Sequence, residues 1–293
     1  MATEQLSVAV DGRNLQAAVA GPESGPLLLL HGGTPEGMHE IYGPHVATAA
    51  ERGLRLAGYA RPGYGDSDRV EGRTVGDCAA DCAAVADALG ADRFYTVGGS
   101  GGGPHALACA AMIGYRVIAA ATIGGVAPAG ADGLEWRAGM ATENLEEFDA
   151  VDAGPAALEA FLEEAARPLG SITAEQVIET LGSLVSAPDA AVLNGEFAAF
   201  VAADLHEALR SGIWGWFDDD LALVGPWGFE LDAIEVPVDV WQGLEDRFVP
   251  AAHGEWLAAN VAGARAHILP GHGHMSLALG SFGQILDGLL VDA

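Results

Sequence analysis

The feature that most constrains the fold of this chain is a glycine run with one serine at its centre, "FYTVGGSGGGPHALACAA", which begins at Phe94. Glycine inside a strand or helix costs about 1 kcal/mol relative to alanine, so five glycines around Ser100 require a structural reason. The apolar residues before the run predict a buried strand, and those after it predict a helix with Pro104 in its first turn. G-x-S-x-G at a strand-to-helix turn is the sequence of a nucleophile elbow, where small residues let the two backbones approach and a strained serine projects its hydroxyl. Ser100 is therefore the predicted nucleophile.

The rest of the chain alternates short apolar runs with helical sequence, which predicts a mostly parallel α/β sheet covered by helices on both faces. The predicted strands lie in "QLSVAVDGRNLQAAVAG", "PLLLLHGG", "GLRLAGY", "RFYTVGGS", "VIAAATIGG", "VPVDVWQG" and "ARAHIL". Between about 128 and 230 the strand pattern is replaced by Ala-, Glu- and Leu-rich helical sequence with several tryptophans. We expect a core formed by 1–127 and 231–293, with a helical cap over 128–230 inserted before the last two strands.

Two later segments offer the partners that a serine nucleophile needs. A serine hydroxyl is weak near neutral pH and requires a general base, which in turn requires an orienting acid. "GLEDRFVP" follows a predicted strand and offers Asp246, with Glu245 beside it as an alternative. "LPGHGHMSL" follows the last predicted strand and offers His272 and His274.

In chain order, "HGG", "GGSGGGP", "GLEDRFVP" and "GHGHMSL", together with the loop "RPGYGDSD", resemble the α/β-hydrolase family over nearly the whole chain. The resemblance is to its proline-iminopeptidase and haloperoxidase-like esterase branch. It implies a triad of Ser100, Asp246 and His274, because Asp246 matches the family pattern G-x-x-D-x-x-V-P and His274 follows "PGHG". Asp132 occupies the acid position that some relatives use instead, and His272 remains the alternative base.

An oxyanion hole needs two backbone N–H groups aimed at the developing negative charge. We expect one from Gly101, the residue after the nucleophile, and the other from Gly33 in the "HGGTP" turn, with Thr34 as the alternative. His31 is expected to hold this turn, and Arg61 to anchor the "RPGYG" loop, rather than to contact substrate.

The aromatic residues of the predicted cap suggest an apolar substrate pocket. The candidates to line it are Trp136, Trp214 and Trp227, within a larger set that includes Trp216, Phe217 and Phe229. The prediction is a serine hydrolase that cleaves a small apolar ester, lactone, thioester or amide through an acyl-enzyme. A proline-iminopeptidase-like peptidase, with cap residues such as Glu147 holding a substrate ammonium, and a C–C bond hydrolase are alternatives. A further alternative is a non-catalytic ligand receptor with the same fold.

The net charge of −28 disfavours nucleic acids and anionic membranes as partners. We expect a small-molecule substrate and a monomer or homodimer. "MATEQLSVAV" has no basic region followed by an apolar run, so no secretory signal is expected. Cys78, Cys82 and Cys109 lie in predicted helices and suggest reduced, buried thiols in a cytoplasmic protein. No cofactor and no metal are expected, since the His272-x-His274 pair lacks a clear third ligand motif.

Overall fold

The computed structural model describes residues 3–291, which form a central sheet of eight strands between two layers of helices. The strands are β1 (Glu4–Val10), β2 (Arg13–Ala20), β3 (Leu27–His31), β4 (Arg55–Tyr59), β5 (Phe94–Gly99), β6 (Val117–Ile123), β7 (Val238–Gly243) and β8 (Arg265–Leu269). Their order across the sheet is β1-β2-β4-β3-β5-β6-β7-β8. Each strand that the sequence predicts is present.

The pairing explains how one edge of the sheet collects the functional loops. β1, β2 and β4 pair antiparallel, while every pair from β4 through β3 to β8 is parallel. The carboxyl ends of parallel strands lie at the same edge of a sheet, which is where ligands bind in open α/β folds. The segments that follow β3, β5, β7 and β8 therefore meet there.

The helices cover both faces of the sheet and fill the segment between β6 and β7. They are α1 (Gly43–Ala50), α2 (Cys78–Ala88), α3 (Gly103–Met112), α4 (Thr142–Ala153), α5 (Pro155–Leu169), α6 (Val177–Leu181), α7 (Ala187–Val192), α8 (Gly195–Leu209), α9 (Trp214–Val224), α10 (Ala251–Asn260) and α11 (His274–Val291). Between residues 3 and 291, no helix is long and apolar enough to cross a membrane.

The core lies on both sides of the sheet. On one face α2, α3 and α10 bury Val85, Leu107 and Leu257 against the strands. On the other face α1 and α11 bury Val46 and Leu277. Burying each such side chain stabilises the folded state by about 1.5–3 kcal/mol. The strands and the loops at their ends are therefore held by a packed core.

Helices α4 to α9 precede the last two strands, as the sequence predicts. Leu158 and Leu162 of α5 pack with Trp216 and Phe217 of α9 in a cluster of their own. The C-terminal end of α9 packs elsewhere: Leu223 lies in the core cluster beneath the sheet. The division into a core of 1–127 and 231–293 and a cap of 128–230 stays a prediction.

Candidate active site

Ser100 occupies a strained turn between β5 and α3. Its φ of 53° lies in the left-handed region, which costs a non-glycine residue about 1–3 kcal/mol. A Cβ atom on Gly98 would lie 2.0 Å from the carbonyl oxygen of Gly102, so the strand and the turn approach too closely for any side chain. The glycines are therefore required by the turn, and the N-terminal end of α3 directs its positive dipole toward the serine.

The turn after β3 lies directly on this elbow. A Cβ atom on Gly102 would be 2.3 Å from the carbonyl oxygen of His31, and one on Gly101 would be 2.5 Å from Thr34 Oγ1. A Cβ atom on Gly33 would be 3.4 Å from Ser100 Cβ. The backbone of the "HGGT" segment thus borders the serine, where the sequence places the second oxyanion donor.

Arg61, which the sequence suggests as an anchor of its own loop, also supports the turn after β3. Its guanidinium is buried and donates to the carbonyl oxygens of Gly32, at 2.6 Å, and Gly33. It also pairs with the buried carboxylate of Asp219, which Arg73 shares. Burial alone would raise the pKa of Asp219, but the two guanidinium groups outweigh burial and lower it. The aspartate is therefore ionised and ties the turn to α9.

His274 and Asp246 form a hydrogen-bonded pair beside the elbow. His274 Nδ1 lies 2.7 Å from Asp246 Oδ2. The other carboxylate oxygen, Oδ1, accepts the backbone N–H groups of Phe248 and Val249, both at 2.9 Å. The ring of Phe248 stacks on the imidazole with centroids 4.7 Å apart. These contacts fix the direction of the carboxylate and the plane of the imidazole.

The pair also determines the protonation behaviour of His274. Burial lowers the pKa of the imidazole, but the charge and hydrogen bond of Asp246 outweigh burial and raise it above its usual value. Asp189 and Glu36 raise it further through their charges. An imidazole with this environment is a stronger base than free histidine.

The alternative base and the alternative acids make other contacts. His272 Nδ1 lies 3.3 Å from the carbonyl oxygen of Ser276. The carboxylate of Glu245 accepts the N–H of Gly271 at 3.1 Å, and Asp132 is exposed. Of the two histidines and three acids that the sequence offers, the structure brings together His274 and Asp246.

Asp189, which the sequence analysis does not identify, anchors the histidine loop. Its fully buried carboxylate accepts the backbone N–H of His274 at 3.0 Å and that of Ser276 at 2.8 Å. It also accepts the hydroxyls of Ser186 and Ser276. An acid at the start of α7 has the sequence of an ordinary helix N-terminus, so its long-range role is visible only in the fold.

Ser100 and His274 line one cavity of about 690 Å³ beneath α4 to α9. Most of its wall is apolar, from residues that include Ile41, Phe161, Leu169, Leu181, Phe197, Phe200, Phe248 and Phe282. Its acidic residues are Glu36, Glu40, Glu143, Glu146, Glu147, Glu164 and Asp204. Among the described residues that line it there is no arginine, and the chain contains no lysine.

The three tryptophans predicted to line the pocket do not reach it, which corrects the sequence analysis. Trp136 packs on Phe148 and donates to the carbonyl oxygen of Ala127 at 2.6 Å. Trp227 is buried beneath the sheet, and Trp214 lies under the guanidinium of Arg69. The tryptophan at the cavity is Trp216.

Glu36 lies at the predicted oxyanion site. Its carboxylate accepts the backbone N–H of Gly33. Burial raises its pKa, against the opposing effects of that N–H and of Arg61 and His274. Burial and the charge of Glu36 also raise the pKa of Asp204 well above its usual value. Burial also raises the pKa of Glu147, another residue that lines the cavity, to about 7. These three carboxyl groups are therefore protonated more readily than free carboxyl groups.

Comparison with known proteins agrees with this architecture. A family model described as alpha/beta hydrolase fold matches residues 25–281. A 2-hydroxy-6-oxo-6-phenylhexa-2,4-dienoate hydrolase from Burkholderia cepacia is 27% identical over 272 residues, which are 85% of this chain and 80% of the relative.

Solved structures show the same fold. An enol-lactonase from Burkholderia xenovorans aligns with a TM-score of 0.67 and 21% identity, covering 98% of this chain and all of its own. An esterase from Rhodococcus sp. aligns with a TM-score of 0.68 and 19% identity, covering 99% of both chains. The chain belongs to the alpha/beta hydrolase family and is a hydrolase.

Proposed function

We propose that this hydrolase is a serine hydrolase that cleaves a small ester, lactone, thioester or amide through an acyl-enzyme on Ser100. The observation that carries the proposal is a strained serine and a carboxylate-held imidazole on the wall of one cavity. Nucleophilic catalysis by serine requires this combination.

In the proposed reaction, Nε2 of His274 takes the proton of the Ser100 hydroxyl while Oγ attacks the substrate carbonyl carbon. The Nδ1–H group donates to Asp246, which stabilises the imidazolium that forms. The leaving group departs with the proton from Nε2 and leaves an acyl group on Oγ. Water then gives one proton to Nε2 and attacks the acyl carbon, after which Ser100 regains its proton and the acid is released.

In this proposal the backbone N–H groups of Gly101 and Gly33 receive the negative charge of the tetrahedral intermediate. Each such donor is worth about 3 kcal/mol of barrier. The Gly33 N–H group is engaged by the Glu36 carboxylate, so the substrate oxygen replaces that carboxylate when it binds.

The cavity favours substrates without a negative charge. Its wall is mainly apolar with several acids, and within residues 3–291 no arginine faces it. The Burkholderia cepacia relative is named for a dienoate, which is a carboxylate. A substrate carboxylate in this cavity would lack a cationic partner, which disfavours the same substrate here.

A second candidate is a peptidase that removes an N-terminal residue in the manner of proline iminopeptidases. Glu147 and Asp204 face the cavity, and a substrate ammonium beside either carboxyl group would favour its ionised form and pair with it. This candidate differs from the first in the acyl group rather than in the chemistry. A comparison of kcat/KM for a short-chain p-nitrophenyl ester and a prolyl p-nitroanilide distinguishes the two.

The proposed function is tested by a fluorophosphonate probe and a chromogenic ester. The probe should add one phosphonyl group to wild-type protein, and peptide mapping should place it on Ser100. Ser100→Ala should abolish labelling and lower kcat by about 10³-fold or more. Turnover retained by Ser100→Ala would remove this serine from the mechanism. If folded wild-type protein shows no labelling and no turnover, the ligand receptor is favoured instead.

A further inference from the structure

The three cysteines of this chain meet at one buried histidine beneath the elbow. Cys78 and Cys82 come from successive turns of α2, Cys109 comes from α3, and His31 ends β3. All four residues are at most 5% exposed. The cluster takes no part in the proposed reaction, and ordinary apolar packing does not require every thiol of the chain to converge on one imidazole.

The spacing of the ligand atoms fits a single metal ion. Sγ of Cys82 and Sγ of Cys109 each lie 3.9 Å from His31 Nε2. The donor atoms of His31, Cys78 and Cys82 all lie within 4.8 Å of one another. A tetrahedral zinc site with Zn–S near 2.3 Å and Zn–N near 2.05 Å places sulfur about 3.6 Å from nitrogen and about 3.8 Å from sulfur. Cys109 joins the three through its distance to Nε2, and the donors would have to draw together by up to about 1 Å to reach those distances.

The surroundings of His31 suit a ligand imidazole. Its Nδ1 lies 3.4 Å from the hydroxyl of Tyr59, which can accept the Nδ1–H and fix the tautomer that leaves Nε2 unprotonated. Nε2 lies 2.9 Å from Thr96 Oγ1, a contact that a metal would replace. The Tyr59 hydroxyl also lies 3.6 Å from the sulfur of Cys82, so it is placed to orient two of the ligands.

Two buried arginines offset part of the charge that such a site would carry. Zn²⁺ with three thiolates has a net charge of −1, which is costly to bury alone. Arg61 and Arg73 are buried and share the single carboxylate of Asp219, which leaves one positive charge in that group. Both arginines line a cavity of about 20 Å³ together with Cys78. The same cavity is also lined by Arg13, Asp77 and Asp81, so Arg61 and Arg73 offset only part of the charge of the site.

We propose that His31, Cys78, Cys82 and Cys109 form a structural Zn²⁺ site. Three thiolates and one imidazole are a common ligand set of closed structural zinc sites. Burial of all four ligands means that the ion enters as the chain folds, so its binding energy contributes to folding. Because His31 precedes Gly32 and Gly33, the ion would join α2 and α3 to the turn that borders Ser100.

The test measures metal in the intact protein. Protein expressed with zinc and dialysed against EDTA while folded should retain about one zinc per chain by mass spectrometry and release it in guanidinium chloride. Cys82→Ser and Cys109→Ser should each lose most of the zinc. Thr96→Val is the matched control, since it alters a neighbour of Nε2 without removing a ligand, and it should keep the zinc.

Cobalt gives a second readout that does not depend on the variants folding. Wild-type protein refolded with Co²⁺ should show the visible bands of tetrahedral cobalt and a thiolate-to-cobalt charge-transfer band. Zinc below about a tenth of an equivalent, both as purified and after refolding with zinc, would overturn the proposal. A cobalt spectrum without thiolate bands, or copper or iron in place of zinc, would overturn it equally.

Discussion

His274 Nδ1 lies 2.7 Å from Asp246 Oδ2, although the two side chains come from different loops, after β8 and after β7. The contact is possible because β7 and β8 are parallel neighbours whose carboxyl ends lie side by side. Two backbone N–H groups hold the other carboxylate oxygen, so the carboxylate is oriented whether or not the histidine is charged. Because Nδ1 is engaged by Asp246, Nε2 is the ring nitrogen that remains to accept a proton.

Asp246→Asn tests the orienting acid. The amide cannot stabilise the imidazolium and favours the wrong tautomer, so kcat for a p-nitrophenyl ester should fall by about 10³–10⁴-fold. The aspartate raises the pKa of His274, and a general base is active when unprotonated. The acid limb of the kcat/KM profile should therefore move to lower pH. Asp132→Asn, at the alternative acid position, is the control and should change neither quantity; a large loss there would transfer the role to Asp132.

The two histidines of the last loop can be separated by a pair of variants. His274→Ala removes the imidazole that faces Asp246 and should lower kcat by at least about 10³-fold. His272→Ala removes a ring whose contact is the carbonyl oxygen of Ser276, so most of the activity should remain. Steady-state kinetics with circular dichroism of both variants makes the comparison. The opposite ranking of the two variants would assign the general base to His272.

Patterns of fixed spacing made the elbow, Asp246 and His274 predictable from sequence. Each lies within a few residues of a strand end, and the parallel sheet brings strand ends together whatever the intervening sequence is. The pocket wall was not predictable in this way. Trp136 failed as a pocket residue because it lies in a turn between β6 and α4, where its indole donates to Ala127 and packs on Phe148 rather than facing the cavity. The roles of Asp189 and Glu36 depend on contacts that form only when the chain folds. No local sequence pattern around either residue indicates those contacts.

Gly124 limits what can stand beside the His274–Asp246 pair. Its φ is +56°, and a Cβ atom there would lie 2.9 Å from His274 Nδ1 and 3.0 Å from Asp246 Oδ2. Gly124→Ala should push the two side chains apart and lower kcat by about 10–100-fold. It should also destabilise the protein by about 1–2 kcal/mol because of the positive φ. Gly130→Ala, where a Cβ atom meets nothing within 4 Å, is the control. Kinetics and thermal unfolding of both variants measure the effect, and an equal, small change in the two would show that the contact with the pair is unimportant.

Glu36 connects the predicted oxyanion site to the base. Its carboxylate accepts the Gly33 N–H, and its charge is one of the causes that raise the pKa of His274. Glu36→Gln keeps an oxygen that can accept the same N–H, so the turn should retain its structure while the negative charge is lost. The pKa of His274 should then fall, and because the base works unprotonated, the acid limb of kcat/KM should move to lower pH.

Glu40→Gln is the matched control for this prediction, because Glu40 also lines the cavity but is not among the groups that shift the pKa of His274. The measurement is kcat/KM for a neutral ester across the acid limb, at fixed ionic strength since charge effects are screened by salt. We expect the limb to move in Glu36→Gln and to stay in place in Glu40→Gln. If both variants keep the wild-type limb, the charge of Glu36 does not act on His274 in the working enzyme. If the acid limbs of both variants shift equally, the total negative charge of the cavity determines the pKa of His274, and the contact between Glu36 and Gly33 is not required for the effect.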